Sequence, residues 1–171
     1  SYYITKKRIV LYKFSKKAFL IRDEAEKLSK YFSKKNNFDL IYSFGVLHHS
    51  SSLRKSLNEI YKIMTKKTIL KIMLYAKNSY KFFLMENNLA RYEAQKNVPV
   101  IDFYDKNQIK KIFRKFKIIN MYQDFIFPYK IKPYKKNQYV KVNHFKYMNK
   151  NIFNILKSNL GEHLLITLKK S

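Results

Sequence analysis

At 171 residues the chain is long enough for one domain with a substantial core. It has no cysteine and four histidines, which excludes a disulfide framework and thiolate metal sites and argues against structural zinc. The net charge of +26 points to a polyanionic partner such as nucleic acid or an anionic membrane surface, or else to simple composition, because Lys, Asn, Ile, Tyr and Phe are abundant together while Gly, Pro and Trp are scarce.

Tyr2–Phe14, with Tyr3, Ile4, Val10, Leu11 and Phe14 among lysines, reads as the last turns of a helix. Ala18–Ile21 is a short apolar run that suggests a strand, followed by an acidic cluster in Arg22–Leu28 and a polar loop at Ser33–Asn37. Phe38–Tyr42 reads as a buried strand that ends in the small-residue turn Ser43-Phe44-Gly45 and two adjacent histidines. After Ser50–Ser52, Leu53, Leu57, Ile60, Tyr61 and Met64 recur at helical spacing, and Ile69–Tyr75 is a second buried strand. Ala76–Asn97 is aromatic-rich and helical in pattern, up to a break at Pro99.

Asp105 can cap a helix over Lys106–Phe116, with Ile109, Ile112, Phe113 and Phe116 on one face. Lys117–Phe127 reads as a strand and Pro128–Asn143 as a lysine-rich loop or insertion, taken as 128–147 at its widest. A helix over Tyr147–Leu160, ended by Gly161, leads into a last strand at His163–Leu168. Alternating strands and helices predict an open α/β sheet with parallel strands in a single domain spanning 1–171. No signal-peptide pattern and no apolar run of membrane-spanning length is present, so the expected setting is soluble and cytoplasmic.

The run FDLIYSFGVLHH (Phe38–His49), the helix after it and ILKIMLY (Ile69–Tyr75) resemble the central part of a class I S-adenosylmethionine-dependent methyltransferase of type 11/12. In that family the segment is the fourth strand, its cofactor-flanking loop, a helix and the fifth strand. Val98–Ile118 is similar to the segment before the sixth strand, and Gly161–Lys170 to the closing antiparallel strand. The resemblance implies a partial Rossmann-like, three-layer sheet with strands three to seven present. The family's first two strands, with the glycine-rich loop and the ribose-binding acid, have no counterpart, since the only glycines are Gly45 and Gly161. The expectation is an N-terminally truncated, incomplete methyltransferase domain, by itself weak in cofactor binding and inactive. Two further departures are Met64-Thr65-Lys66-Lys67-Thr68, where the family has a Lys-Pro-Gly-Gly turn, and Ser50–Ser52, where many relatives carry an acid.

The resemblance also assigns sites. Asp23 or Glu24 would accept a hydrogen bond from the adenine amine of the cofactor S-adenosyl-L-methionine, and Ala25 would line the adenine pocket. The same acids could equally offset a helix dipole. Ser43, Phe44 and Gly45 would flank the methionine end, with Gly45 allowing close approach. His48 and His49 are general-base candidates, because histidine titrates near neutrality, while at least one of them is expected simply to pack. Tyr75, Asn78 and Tyr80, past the fifth strand, could line the acceptor pocket. His144 and His163 have no supporting context, and no metal is expected. The implied activity is methyl transfer to a small-molecule O, N or C nucleophile. The alternatives are a basic non-catalytic module that uses Tyr129–Tyr147 on nucleic acid, and a degenerate methyltransferase paralogue.

Overall fold

The computed structural model describes residues 2–89 and 102–171. Its centre is a five-stranded sheet made of β1 (Leu40–Phe44), β2 (Ile69–Ala76), β3 (Phe103–Tyr104), β4 (Phe116–Asp124) and β5 (His163–Lys170). The order is β1-β2-β5-β4, with β3 also paired to β2. β1 and β2 are parallel, with Ile41 beside Leu70 and Ser43 beside Ile72. β3 continues β1's side of β2, opposite Tyr75 and Ala76. β5 runs antiparallel between β2 and β4, so His163 lies beside both Tyr75 and Asp124. The carboxyl ends of β1, β2 and β4 therefore meet the amino end of β5 at one edge of the sheet.

Side-chain alternation decides which face is buried. Leu70, Ile72, Leu74 and Ala76 of β2, with Leu164, Ile166 and Leu168 of β5, all point to one side. Helix α2 (Leu53–Ile63) covers that side with Leu53, Leu57 and Ile60, followed by Met64, and helix α4 (Lys106–Ile112) adds Ile109 ahead of Phe113. Burying each such side chain stabilises by roughly 1.5–3 kcal/mol. Ser52 caps α2 by accepting from the Lys55 N–H, and Asp105 opens α4 with a capping box closed by Gln108. The turn between α2 and β2 needs no glycine. The Thr68 hydroxyl accepts from the Thr65 N–H at 2.9 Å, and no residue from 64 to 68 takes a positive φ.

The strand expected at Ala18–Ile21 does not form. After α1 (Tyr2–Leu11) the chain turns at Phe14, whose carbonyl accepts from the Lys17 and Ala18 N–H groups, and Phe19 is 83% exposed. An apolar run becomes a strand only against another strand's edge, and no described strand offers one here. The fifth strand of the sheet is β3 instead. α1 is helical as expected but buries none of its residues. Observed boundaries differ by a few residues from those expected, and β1 begins at Leu40 and includes Ser43 and Phe44. The helix after β2 is α3 (Tyr80–Glu86), while its expected continuation beyond Leu89, the break at Pro99 and the start of the Val98–Ile118 segment lie outside the described residues. The 128–147 insertion holds two short helices, α5 (Ile131–Tyr134) and α6 (Asn143–Lys146), closed by a bridge between Tyr129 and Lys141. Helix α7 (Lys150–Leu160) then leads to β5.

Candidate functional site

The site builds up from the end of β1. Ser43 faces inward and its Oγ is buried without a hydrogen-bond partner. Gly45 turns the chain at φ +71°, a conformation that costs a side-chain-bearing residue about 1–2 kcal/mol. Beyond it, a short helical turn over Leu47–His49 presents both histidines toward β2.

His48 is fully buried, with its ring centroid 4.1 Å from those of both His49 and Tyr75. Burial, with help from the neighbouring His49, lowers its pKa to about 4, so the ring is neutral at pH 7. The Met73 backbone favours the charged form, while among the described residues no hydrogen bond of good geometry reaches either ring nitrogen. Among the described residues, Ser43 Oγ and the two nitrogens of His48, like Ser56 Oγ of α2, are thus buried polar atoms without a hydrogen-bond partner. Such groups are rare in folded proteins and mark places where a ligand or water completes the bonding.

The acidic segment is brought to the same place by Glu26. Its Oε1 accepts from the Ser51 hydroxyl at 2.7 Å and the Ser52 N–H at 2.8 Å, directly after the histidine turn. The Ser51 hydroxyl holds the Glu26 carboxyl below its usual range. Glu59 of α2 fixes the other end of the segment, accepting from Ser29 Oγ, the Ser29 N–H and Lys62 Nζ. These bonds, with Lys62 first, lower the Glu59 pKa to about 2. Ala25 is half-buried against the core. Asp23 accepts from the Tyr31 hydroxyl at 2.5 Å, which lowers its pKa, and Glu24 pairs with Lys27 at 2.9 Å. Neither partnership was legible beforehand.

The three acceptor candidates separate. Tyr75 lies inside an aromatic cluster with His48, His49, Phe103 and His163. Asn78 lines a cleft of about 490 Å³ with Tyr104, Asp105 and Gln123. Tyr80 turns to the insertion, its hydroxyl 3.1 Å from His144 Nε2 and its ring against Phe145. His163 does have a context: it pairs with Tyr75 across the sheet and stacks on Phe125. Only strand register brings it there. In the insertion Phe127, Tyr129, Tyr134 and Tyr139 pack their rings on one another. Among the described residues no group of three or more His, Asp or Glu could hold a metal ion, and no helix is long and apolar enough to cross a membrane.

Residues 7–72 match the sequence model of a family described as methyltransferase domain. The fold is similar to that of an S-adenosylmethionine-dependent methyltransferase from Thermotoga maritima, named as a possible histamine N-methyltransferase: TM-score 0.60 and 16% identity, over 90% of this chain and 65% of that one. The cyclase SpnF is similar at TM-score 0.62 and 13% identity, over 99% of this chain and 62% of that one. A StiE O-methyltransferase region is similar at TM-score 0.58 and 11% identity, over 99% of this chain and 55% of that one. No curated protein matches the sequence. The chain spans just under two thirds of the length of the Thermotoga protein. The fold is thus that of the class I S-adenosylmethionine-dependent methyltransferases, and the family match falls on the segment that carries Ser43, Gly45 and the histidines.

Proposed function

We propose that the carboxyl ends of β1 and β2 form the methyl-donor side of an S-adenosylmethionine crevice, in a protein that methylates an O, N or C nucleophile of a small molecule. The observation that carries this reading is that, of the three residues with unsatisfied buried polar atoms among the described residues, two, Ser43 and His48, flank the Gly45 turn. These atoms are enclosed, so it is the Gly45 backbone between them, which carries no Cβ, that a ligand can approach. The donor set also suits the cofactor, whose methionine end carries both an amine and a carboxylate. The fold alone would not decide the reaction, because a cyclase shares it.

When bound, the cofactor would supply an electrophilic methyl carbon on a sulfonium. The chain's own residues have a modest task, chiefly alignment. Ser43, Phe44 and Gly45 would hold the methionine end. Of the two adenine candidates, Glu24 is held among the described residues by Lys27, in an exposed pair worth little, whereas Asp23 is engaged by Tyr31 and by the Glu24 N–H. Glu24 is therefore the one free to turn toward an adenine amine over Ala25. His48, neutral and enclosed, would position its neighbours, and His49, half-buried beside it, would take the acceptor's proton. Tyr75 would form one wall of the acceptor space, while Asn78 lines the separate cleft beside Tyr104 and Gln123. Equilibrium dialysis at millimolar S-adenosylhomocysteine, a range that reads the weak binding expected of this chain, tests the reading. Retention by the parent chain that is lost on Ser43→Ala and on Gly45→Val supports it, and retention unchanged in both variants refutes it.

A further inference from the structure

Phe125 follows β4 at the same edge of the sheet, and its backbone is in the left-handed region at φ +70°. A bulky aromatic there is a true outlier, and strain of this kind persists only where the surroundings over-determine it. Glu162 supplies that restraint. Its N–H donates to the Phe125 carbonyl at 2.7 Å, its Oε1 accepts from the Phe127 N–H at 3.2 Å, and its Oε2 meets Lys81 Nζ at 2.9 Å. Its own carbonyl accepts from the Ala76 N–H at 3.0 Å, which fastens the turn to the end of β2. Gly161 adds close packing, since a Cβ there would lie 2.4 Å from the Asp124 carbonyl oxygen.

All this holds the Phe125 ring parallel to His163, with centroids 4.5 Å apart and planes within 8°. His163 in turn stacks toward Tyr75 and meets Phe44 edge-on at 5.4 Å. Phe125 stays 41% exposed and Phe44 45% exposed. A phenylalanine needed only for packing would be buried and unstrained. Here a part-exposed aromatic ring is held on His163, one ring away from both Tyr75 and Phe44. Burial lowers the His163 pKa, which keeps that ring neutral and suited to stacking.

The geometry points to Phe125 and His163 as an aromatic platform that stacks a planar ring, so that the methyl acceptor is an aromatic or heteroaromatic molecule. This rests on the methyltransferase reading for the word acceptor, while the platform itself stands on the ring geometry alone. Stacking attracts through the faces of flat rings and discriminates against saturated ones of equal size.

The test uses 1-naphthol and its saturated counterpart decahydro-1-naphthol, titrated into the full chain and followed by the amide shifts of Phe125 and His163. The expected result is binding of 1-naphthol with decahydro-1-naphthol roughly ten-fold weaker or more. Phe125→Gly, which relieves the backbone strain, is expected to lose naphthol binding roughly five-fold or more while its Tm holds or rises. His163→Ala should weaken binding likewise. Equal binding of both probes, or naphthol binding unchanged in Phe125→Gly, overturns the platform. S-adenosylhomocysteine titrated into the same samples separates the two readings. If it is retained without a platform effect, only the platform fails, and if a platform effect appears without it, only the methyl-transfer reading fails.

Discussion

At the scale of single residues, His48 gives the site a pH signature. Its folded pKa of about 4 lies below the unfolded value near 6.5, so the unfolded chain binds more protons between those limits. Stability from this residue is complete above pH 6.5 and is lost as the pH falls toward 4, a change of about 3 kcal/mol. Urea unfolding across that range should show the slope in the parent chain and a clear flattening in His48→Phe. An equal slope in the variant would mean that another group carries it.

The two glycines make contrasting predictions. Gly45 is required by its backbone, for an added Cβ would meet only Met73 Cε at an ordinary 3.5 Å. Gly45→Ala should therefore cost only about 1–2 kcal/mol in denaturant unfolding. Gly161 does end its helix as the sequence suggested, yet at φ −60°, so close approach and not a left-handed turn is what demands glycine. Gly161→Ala should cost about 3 kcal/mol or more by the same measurement, and a smaller loss than that of Gly45→Ala would contradict the packing described.

At the scale of elements, the link between the 23–30 segment and the sheet runs through α2. Glu59→Gln removes the charge that binds Ser29 and Lys62, at an expected cost of about 2 kcal/mol at pH 7. Because the Glu59 pKa is depressed to about 2, that advantage is present above pH 4.5 and disappears as the pH falls through about 2. The unfolding curves of parent and variant should converge in strong acid. How far elements can be read from sequence differs along this chain. β1, α2, β2 and β5 were legible because apolar periodicity is a local property, and α4 because Asp105 and Gln108 spell out its capping box. Ala18–Ile21 has the same apolar character but no edge to pair with, which no local pattern reports. The histidine turn was visible in sequence, while the contributions of Glu26, His163 and Phe125 depend on partners 25 or more residues away or on strand register.

At the scale of the whole molecule, the central feature is one edge of an open sheet where β1, β2, β4 and β5 bring Phe44, His48, Tyr75, Phe125 and His163 into one aromatic cluster, with Ser43 on the buried face of the same strand end. The +26 charge is spread along the chain, and in the insertion Tyr129 stacks on Tyr134 while Tyr139 meets both edge-on. A small-molecule site at that edge is consequently expected to bind with little dependence on salt, in contrast to a polyanion site.

The central claim, that this edge receives the methionine end of S-adenosylmethionine, is tested most directly by mapping amide shifts during a millimolar titration with S-adenosylhomocysteine. The expected changes concentrate at Ser43, Phe44, Gly45, His48 and Tyr75. Changes confined to the insertion, or none at any residue of the β1 and β2 ends, would contradict it.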